Sequence, residues 1–302
     1  MIAALLIIFA TFLWAVDTLI RYPLISSGFS AQSLVFFEHL LLFLIFLPTM
    51  LKKRQKYWSE SVSTIFYFFI IGGLGSAVAT VAFTKAFTMI SPSLVILLQK
   101  LQPLVVVLLA RIFLQEKIKK GFWTWAAVAI FGSLLISYND IVPFFEEFKF
   151  STALISRHAL TGYLLAFISV VSWASSTVFG KKLTGRGFAT TEIMAGRFFF
   201  GLMVMIPFVA FQKMPFWGNL DFLDTMGQIV LMVCISGILG MFVYYKGLKG
   251  CSAKLSSILE LFFPLFAVSL NWIFLDQELD IIQLVGAGFL LLSSFMLRWK
   301  SY

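Results

Sequence analysis

Charge is what this sequence has least of. Acidic and basic residues together make up 12% of its 302 residues, about half the share of an ordinary soluble domain. Cysteine and histidine are nearly absent: Cys234 and Cys251, His39 and His158. Two cysteines without a motif spacing exclude a disulfide framework and a cysteine-ligated metal, so both are expected to pack as small apolar groups. Two histidines so far apart exclude a histidine metal site, and no cofactor is implied. There is no G-x-x-x-x-G-K-[ST] loop, so ATP is not the direct energy source. No H-E-x-x-H pair or nucleophile elbow appears, and an enzyme is not expected. What is present is apolar side chain, 60% of the total, with a mean hydropathy of +0.97. A water-soluble globule of this size has no interior large enough for it. The net charge of +9 then belongs to cytoplasmic loops of a membrane protein rather than to a nucleic-acid surface.

A helix crossing the hydrocarbon needs roughly 20 mostly apolar residues. Ten such stretches are present: Ile2–Ile20, Ser33–Met50, Val62–Thr88, Pro92–Leu114, Gly121–Tyr138, Gly162–Phe179, Glu192–Phe211, Gln228–Leu248, Lys254–Leu275 and Ile281–Leu297. The first lacks the basic start and small-residue site of a cleaved signal and is expected to be retained. The longest polar connection, Asn139–Thr161, divides the chain into residues 1–140, a connecting segment 141–160, and residues 161–302. With the N-terminus placed in the cytoplasm, inside loops collect Lys52, Lys53, Arg54, Lys56, Lys117, Lys119, Lys120, Lys181, Lys182, Arg186, Lys249, Lys254, Arg298 and Lys300. Outside loops collect Arg21, Lys149, Arg157 and Lys213. This bias predicts both termini inside, in a cytoplasmic (inner) membrane.

The two halves overlay. Leu13-Trp14-Ala15-Val16-Asp17-Thr18 matches Ser172-Trp173-Ala174-Ser175-Ser176-Thr177, and the second spans end at Pro48 and Pro207. Thr84-Lys85-Ala86-Phe87 matches Tyr245-Lys246-Gly247-Leu248, and Gln102-Pro103-Leu104 matches Phe263-Pro264-Leu265. Ile112-Phe113-Leu114 matches Ile273-Phe274-Leu275, followed by Glu116 and Glu278. The offset is 159 residues over the first two spans and 161 over the next two. Five spans is an odd number, so the second half enters the membrane from the opposite side. The predicted fold is therefore all-α and integral to the membrane, ten transmembrane helices in two inverted five-helix repeats. Such a pair has two asymmetric arrangements of similar energy, one open to each side, which is the basis of alternating access.

These residues resemble the drug/metabolite transporter superfamily, EamA type. The resemblance rests on Trp14 and Trp173, on Pro103 and Pro264, on the Ile-Phe-Leu ends of spans four and nine, and on Arg197. It covers about Ala3–Leu297 and is weaker around Tyr138–Leu160. It implies a ten-helix permease whose spans one, three, four, six, eight and nine line a central site. Its substrates range from amino acids and drugs to nucleotide-linked metabolites. In this chain the repeat equivalent of Arg197 is Glu38, a reversal of charge.

A charge at mid-membrane costs about 2.5–3.5 kcal/mol and needs a partner, water or a ligand. Asp17 pairs with Arg21 four residues on, or lines the cavity. Trp14 and Trp173 are interfacial anchors or, from their depth and symmetry, cavity walls for a planar or cationic ligand. Glu38 is a proton-coupling candidate, or is bridged to Lys85 or Lys100; His39 joins a relay or is simply hydrogen-bonded. Gln99, Lys100 and Gln102 precede Pro103, and Glu260 precedes Pro264. Each proline is expected to free the carbonyl four residues back, those of Gln99 and Glu260, and to kink its helix. Backbone opened at that depth is tolerated where it lines a cavity, or is a packing kink with Lys100 and Glu260 in internal ion pairs. Arg197 is a gating candidate with Glu260 as partner. Lys85 and Lys246 are expected to snorkel. Gly72 with Ser76, and Gly73, Gly75, Gly237 and Gly240, mark close helix contacts or sliding surfaces.

The expectation is a secondary active transporter of a small organic metabolite, amino-acid-like or related. It works by alternating access, driven by the substrate's own gradient or by protons through Glu38 or Glu260, as a monomer or homodimer in the lipid bilayer. The alternatives are a carrier for a nucleoside-linked metabolite such as S-adenosylmethionine, and a pore or lipid-translocating protein.

Overall fold

The computed structural model describes residues 2–86, 88–90, 92–138, 157–211, 221–275 and 280–299. The expectations for the connecting segment, Phe87, Lys149, Lys213, Glu278 and Lys300 fall wholly or largely outside these. Ten apolar helices follow in order: α1 (Ile2–Ser26), α2 (Ala31–Lys52), α3 (Val62–Ala86), α4 (Val95–Phe113), α5 (Lys120–Ile136), α6 (Arg157–Gly185), α7 (Thr190–Ala210), α8 (Phe222–Gly250), α9 (Ala253–Phe274) and α10 (Ile281–Leu297). Eight are long and apolar enough to cross a membrane; α5 and α10 are shorter. Helices are the form lipid selects, because every N–H and C=O must find its partner within the segment.

Packing obeys the repeat. α1 lies on α8 and α9, and its equivalent α6 lies on α3 and α4. α2 meets α7, α4 meets α9, and α5 meets α10. Exchanging each helix with its equivalent in the other half returns these contacts, as a two-fold axis between two inverted five-helix repeats requires; α6 also packs on α8 and on the start of α9, where α1 makes no comparable contact with α3 or α4 among the described residues. α5 and α10 approach at glycine: a Cβ on Gly132 would lie 2.7 Å from the Gly286 oxygen, and one on Gly286 2.6 Å from the Gly132 oxygen.

Two features extend the repeat beyond its visible sequence matches. The α1–α2 and α6–α7 turns both carry a left-handed glycine, Gly28 (φ 98°) and Gly187 (φ 81°). A buried phenylalanine follows each, Phe29 and Phe188. Both members of each pair are 159 residues apart. Within α3 and α8 the helix widens to π form over Ile70–Val78 and Val233–Gly240. Such segments are rare and gather at functional sites. Both segments contain glycine and serine, Gly72, Gly73, Gly75 and Ser76 in one and Ser236, Gly237 and Gly240 in the other.

The kinks expected at Pro103 and Pro264 are two-residue interruptions, in which the helix tightens into turns at residues 100–101 and 260–261. α4 is helical over Pro92–Gln99 and again over Gln102–Phe113; α9 over Ala253–Leu259 and Phe262–Leu275. The Glu260 carbonyl is not free, as expected from the proline alone: the Phe263 N–H donates to it at 3.1 Å, a tightened three-residue turn. Cys251 is buried, but Cys234 is exposed and does not pack as an interior group.

Candidate functional site

Glu260 stands at the break of α9, half-buried, where the two halves meet. Its Oε2 accepts from Gln102 Nε2 of α4 at 3.0 Å. Its Oε1 accepts from the Tyr244 hydroxyl of α8 at 2.7 Å and from Thr177 Oγ1 of α6 at 3.4 Å. Tyr244 and Thr177 are themselves 3.0 Å apart. No ion pair to Glu260 is present among the described residues. A carboxylate held only by neutral donors keeps its charge available to a cargo or a proton. Trp14 of α1 closes one side, its ring 5.2 Å from that of Tyr244.

The same ring pair recurs in the other half. Trp173 lies 5.1 Å from Phe83, and Phe83 is the repeat equivalent of Tyr244. Phenylalanine has no hydroxyl, and the equivalent of Glu260 is Gln99, whose Nε2 donates to Ser169 at 2.8 Å. The Gln99 Oε1 is buried without a partner among the described residues. The frame is thus symmetric, while the carboxylate and its phenol belong to one side only. Lys100 is buried at the break of α4.

Asp17, Arg21 and Glu38 form one buried cluster. Arg21 Nε donates to Asp17 Oδ2 at 2.6 Å, and its Nη2 to Glu38 Oε1 at 2.6 Å. Ser236, from the π segment of α8, donates to Asp17 at 2.6 Å. The expected Asp17–Arg21 pair is present. Glu38 is bridged to Arg21 and not to Lys85 or Lys100; α1 and α2 both pack on α8, which brings the two side chains within reach.

Arg197 occupies the equivalent place in the second half. Its Nη1 donates to Ser176 at 2.7 Å and to Tyr245 at 3.2 Å, and its Nη2 to the Gly75 carbonyl at 3.2 Å. Ser176, Gly180 and Gly75 are the equivalents of Asp17, Arg21 and Ser236. Both acids are lost in this copy, and Arg197 meets no carboxylate among the described residues; its Nε is buried without a partner. Arg197 and Glu260 therefore do not pair here. They sit on adjacent residues of the same two helices, through Ser176 and Thr177 on α6, and Tyr245 and Tyr244 on α8.

His39 is fully engaged. Its Nδ1 lies 2.7 Å from the Val35 carbonyl, which only accepts, so Nδ1 carries the hydrogen. Nε2 lies 2.9 Å from Ser76 Oγ in the π segment of α3. Lys85 and Lys246 are both exposed, as snorkelling requires; Lys246 lies over the Phe242 ring at 4.6 Å. Sequence reasoning missed Tyr244 and Thr177, which read as an aromatic and a small polar residue in apolar helices. The signal for Tyr244 was its departure from the repeat, a tyrosine set against Phe83; Thr177 matches Thr18 and gave none.

The sequence pattern of the EamA-like transporter family matches residues 1–138 and 160–299. The "Riboflavin transporter ImpX" of Fusobacterium nucleatum subsp. nucleatum is 28% identical over 300 residues, 96% of this chain and 95% of that protein. The "Protein PecM" of Dickeya dadantii is 25% identical over 232 residues, 76% of this chain and 72% of that protein. One solved structure, 14% identical, superposes with a TM-score of 0.71 over 97% of this chain and 95% of its own. This chain belongs to the EamA-like transporter family.

Proposed function

We propose that this protein is a secondary active carrier that moves a small organic metabolite by alternating access, with Glu260 at the centre of the substrate site. The observation that carries this is the placement of Glu260: a carboxylate with no basic partner among the described residues, joined to Gln102 across the two repeats at the breaks of α4 and α9. A rocking motion of residues 1–140 against residues 161–302, joined by 141–160, would make and break that bond in every cycle. The excess of lysine and arginine in one set of loops supports an inner-membrane protein with both termini in the cytoplasm.

For the cargo, the tilted Trp14–Tyr244 rings beside Glu260 favour a planar compound that stacks while it donates a hydrogen bond. The riboflavin carriage named for the Fusobacterium relative supports a flavin-like heterocycle ahead of an amino-acid-like compound. Protons are the proposed coupling ion, with Glu260 as the first acceptor and the Asp17–Arg21–Glu38 cluster as the second.

The test uses a variant lacking both native cysteines with Thr177→Cys in its place, reconstituted in vesicles. A membrane-impermeant thiol reagent applied from each side in turn is expected to label it from both. Labelling from one side only under every condition would refute alternating access at this site. Exchange of labelled riboflavin against unlabelled riboflavin, beside leucine against leucine, sorts the two cargo classes.

A further inference from the structure

Two clefts share the flank of the first repeat formed by α4 and α5, and neither is lined by a residue of the Glu260 site. One, of about 310 Å³, is apolar; Leu104 of α4 and Trp123, Ala127, Ile130 and Leu134 of α5 are among its walls. The other, of about 390 Å³, lies where α4 ends and the chain turns toward α5, and is lined by Arg111, Gln115, Glu116, Lys117 and Ile118. The turn there is left-handed: Gln115 has φ 55°, and the Glu116 N–H donates back to the Ala110 carbonyl at 3.2 Å. Glycine usually holds such a position. A glutamine accepts the strain and adds a side chain to the cleft wall.

Helical spacing joins the two clefts. Leu104, Leu108 and Arg111 fall four and three residues apart, on one face of α4. Lys120, Trp123, Ala127, Ile130 and Leu134 alternate in the same way along α5. The groove between them therefore has apolar walls over most of its length and a cation on each wall at one end.

The cations at that end are available. Arg111, Lys117 and Lys120 are exposed and make no hydrogen bond or ion pair among the described residues. Their neighbours are tied to the protein: Lys182 donates to the Phe113 carbonyl at 3.1 Å, and Lys254 to the Lys117 carbonyl at 2.5 Å. The acid of the cleft, Glu116, is engaged by the N–H groups of Ala253 at 2.7 Å and Lys254 at 3.3 Å, so its oxygens are turned toward α9. Depth points the same way. α5 has 17 residues, about 25 Å of helix against roughly 30 Å of hydrocarbon. A bilayer thins beside a short span, which brings its phosphates down to the level of these cations.

We infer that this groove holds an anionic phospholipid of the phosphatidylglycerol class, with one acyl chain along Leu104, Trp123 and Ala127 and its phosphate held by Arg111, Lys117 and Lys120. A zwitterionic lipid would bring a cation of its own to the same place, so the site selects for net negative charge.

The test is native mass spectrometry of the full chain in detergent, titrated with phosphatidylglycerol and with phosphatidylcholine. The first is expected to bind roughly 100-fold more tightly, the scale of three cations near an anionic surface. Arg111→Gln, Lys117→Gln and Lys120→Gln together should remove that preference. Lys52→Gln, Lys53→Gln and Arg54→Gln together take the same charge from the end of α2 and should leave it. Ala127→Phe fills the groove and should weaken phosphatidylglycerol without altering charge. Equal affinity for the two lipids in the parent, a preference kept by the first triple variant or lost equally in both, or unchanged binding in Ala127→Phe would each overturn the site. Displacement of the lipid by millimolar inorganic phosphate would assign the cations to a free anion and overturn it too. Disulfide-linked dimers through Ala127→Cys in phosphatidylglycerol vesicles, with both native cysteines removed, would seat a second copy of the chain in the groove in place of the lipid.

Discussion

Replacing Glu260 by glutamine separates a working charge from a structural one. The side chain keeps its shape, and the remaining oxygen still accepts from the Tyr244 hydroxyl, now 2.7 Å away. What goes is the negative charge, which no cation balances among the described residues. Removing an unpaired charge from a water-poor site relieves a desolvation cost of several kcal/mol, against roughly 1–2 kcal/mol lost in the weaker bonds to neutral acceptors. The thermal midpoint of Glu260→Gln in detergent should therefore hold or rise. Transport should behave in the opposite way. If cargo or proton engages the carboxylate, the loss of one charge-assisted bond of about 1.5–3 kcal/mol slows exchange roughly 10- to 100-fold. The assay is counterflow in vesicles with any cargo the parent protein exchanges, beside a thermal melt of the same preparation. Full exchange in Glu260→Gln would refute the site. So would a loss of exchange that merely tracks a lowered midpoint, since the carboxylate would then be a structural group.

Arg21→Met should destabilise by about 3 kcal/mol, because it strands Asp17 and Glu38 as two buried carboxylates without their shared cation; a melt in detergent reads it, and an unchanged midpoint would contradict the cluster. Gly286→Ala should cost about 1–3 kcal/mol through overpacking, its new methyl lying 2.6 Å from the Gly132 oxygen; the same melt reads it. His39→Asn should leave the pH profile of exchange where it is, since both ring nitrogens are already engaged by Val35 and Ser76; a displaced profile would make His39 part of the proton path.

The frame was legible because lipid makes it so. A run of apolar residues must be a helix, and ten runs with Trp14 matched to Trp173 and Pro103 to Pro264 leave little freedom in the arrangement. The charges were legible in position and not in partnership. Asp17 and Arg21 share a helix, so their spacing reveals the pair. The bond from Arg21 to Glu38 depends on how far α1 and α2 are rotated, and no local pattern encodes that. The π segments were hidden for a related reason. Ile-Ile-Gly-Gly-Leu-Gly-Ser-Ala-Val reads as an ordinary apolar helix, because the change from four-residue to five-residue bonding has no residue code of its own. Glu260 was visible as an acid before a proline, but its phenol partner was counted among the apolar aromatics, and the local turn that engages its carbonyl could not be seen from the proline.

The symmetry and its violations do different work. Two states of comparable energy require that the backbone frame repeat, and it does, down to Gly28 and Gly187 in the turns. On the proposed reading, a single cargo of definite chemistry is met by side chains that differ between the copies: Glu260 against Gln99, Tyr244 against Phe83. The outer clusters follow the same logic with opposite sign. Asp17 and Glu38 surround one cation, Arg21, at their end, and Arg197 meets no described acid at the other, so on the proposed carrier reading a charged cargo would meet unlike fields on entering and leaving. Reversing that order, with Glu38→Arg and Arg197→Glu together, should invert the preferred charge of the cargo at each end in any protein that still folds.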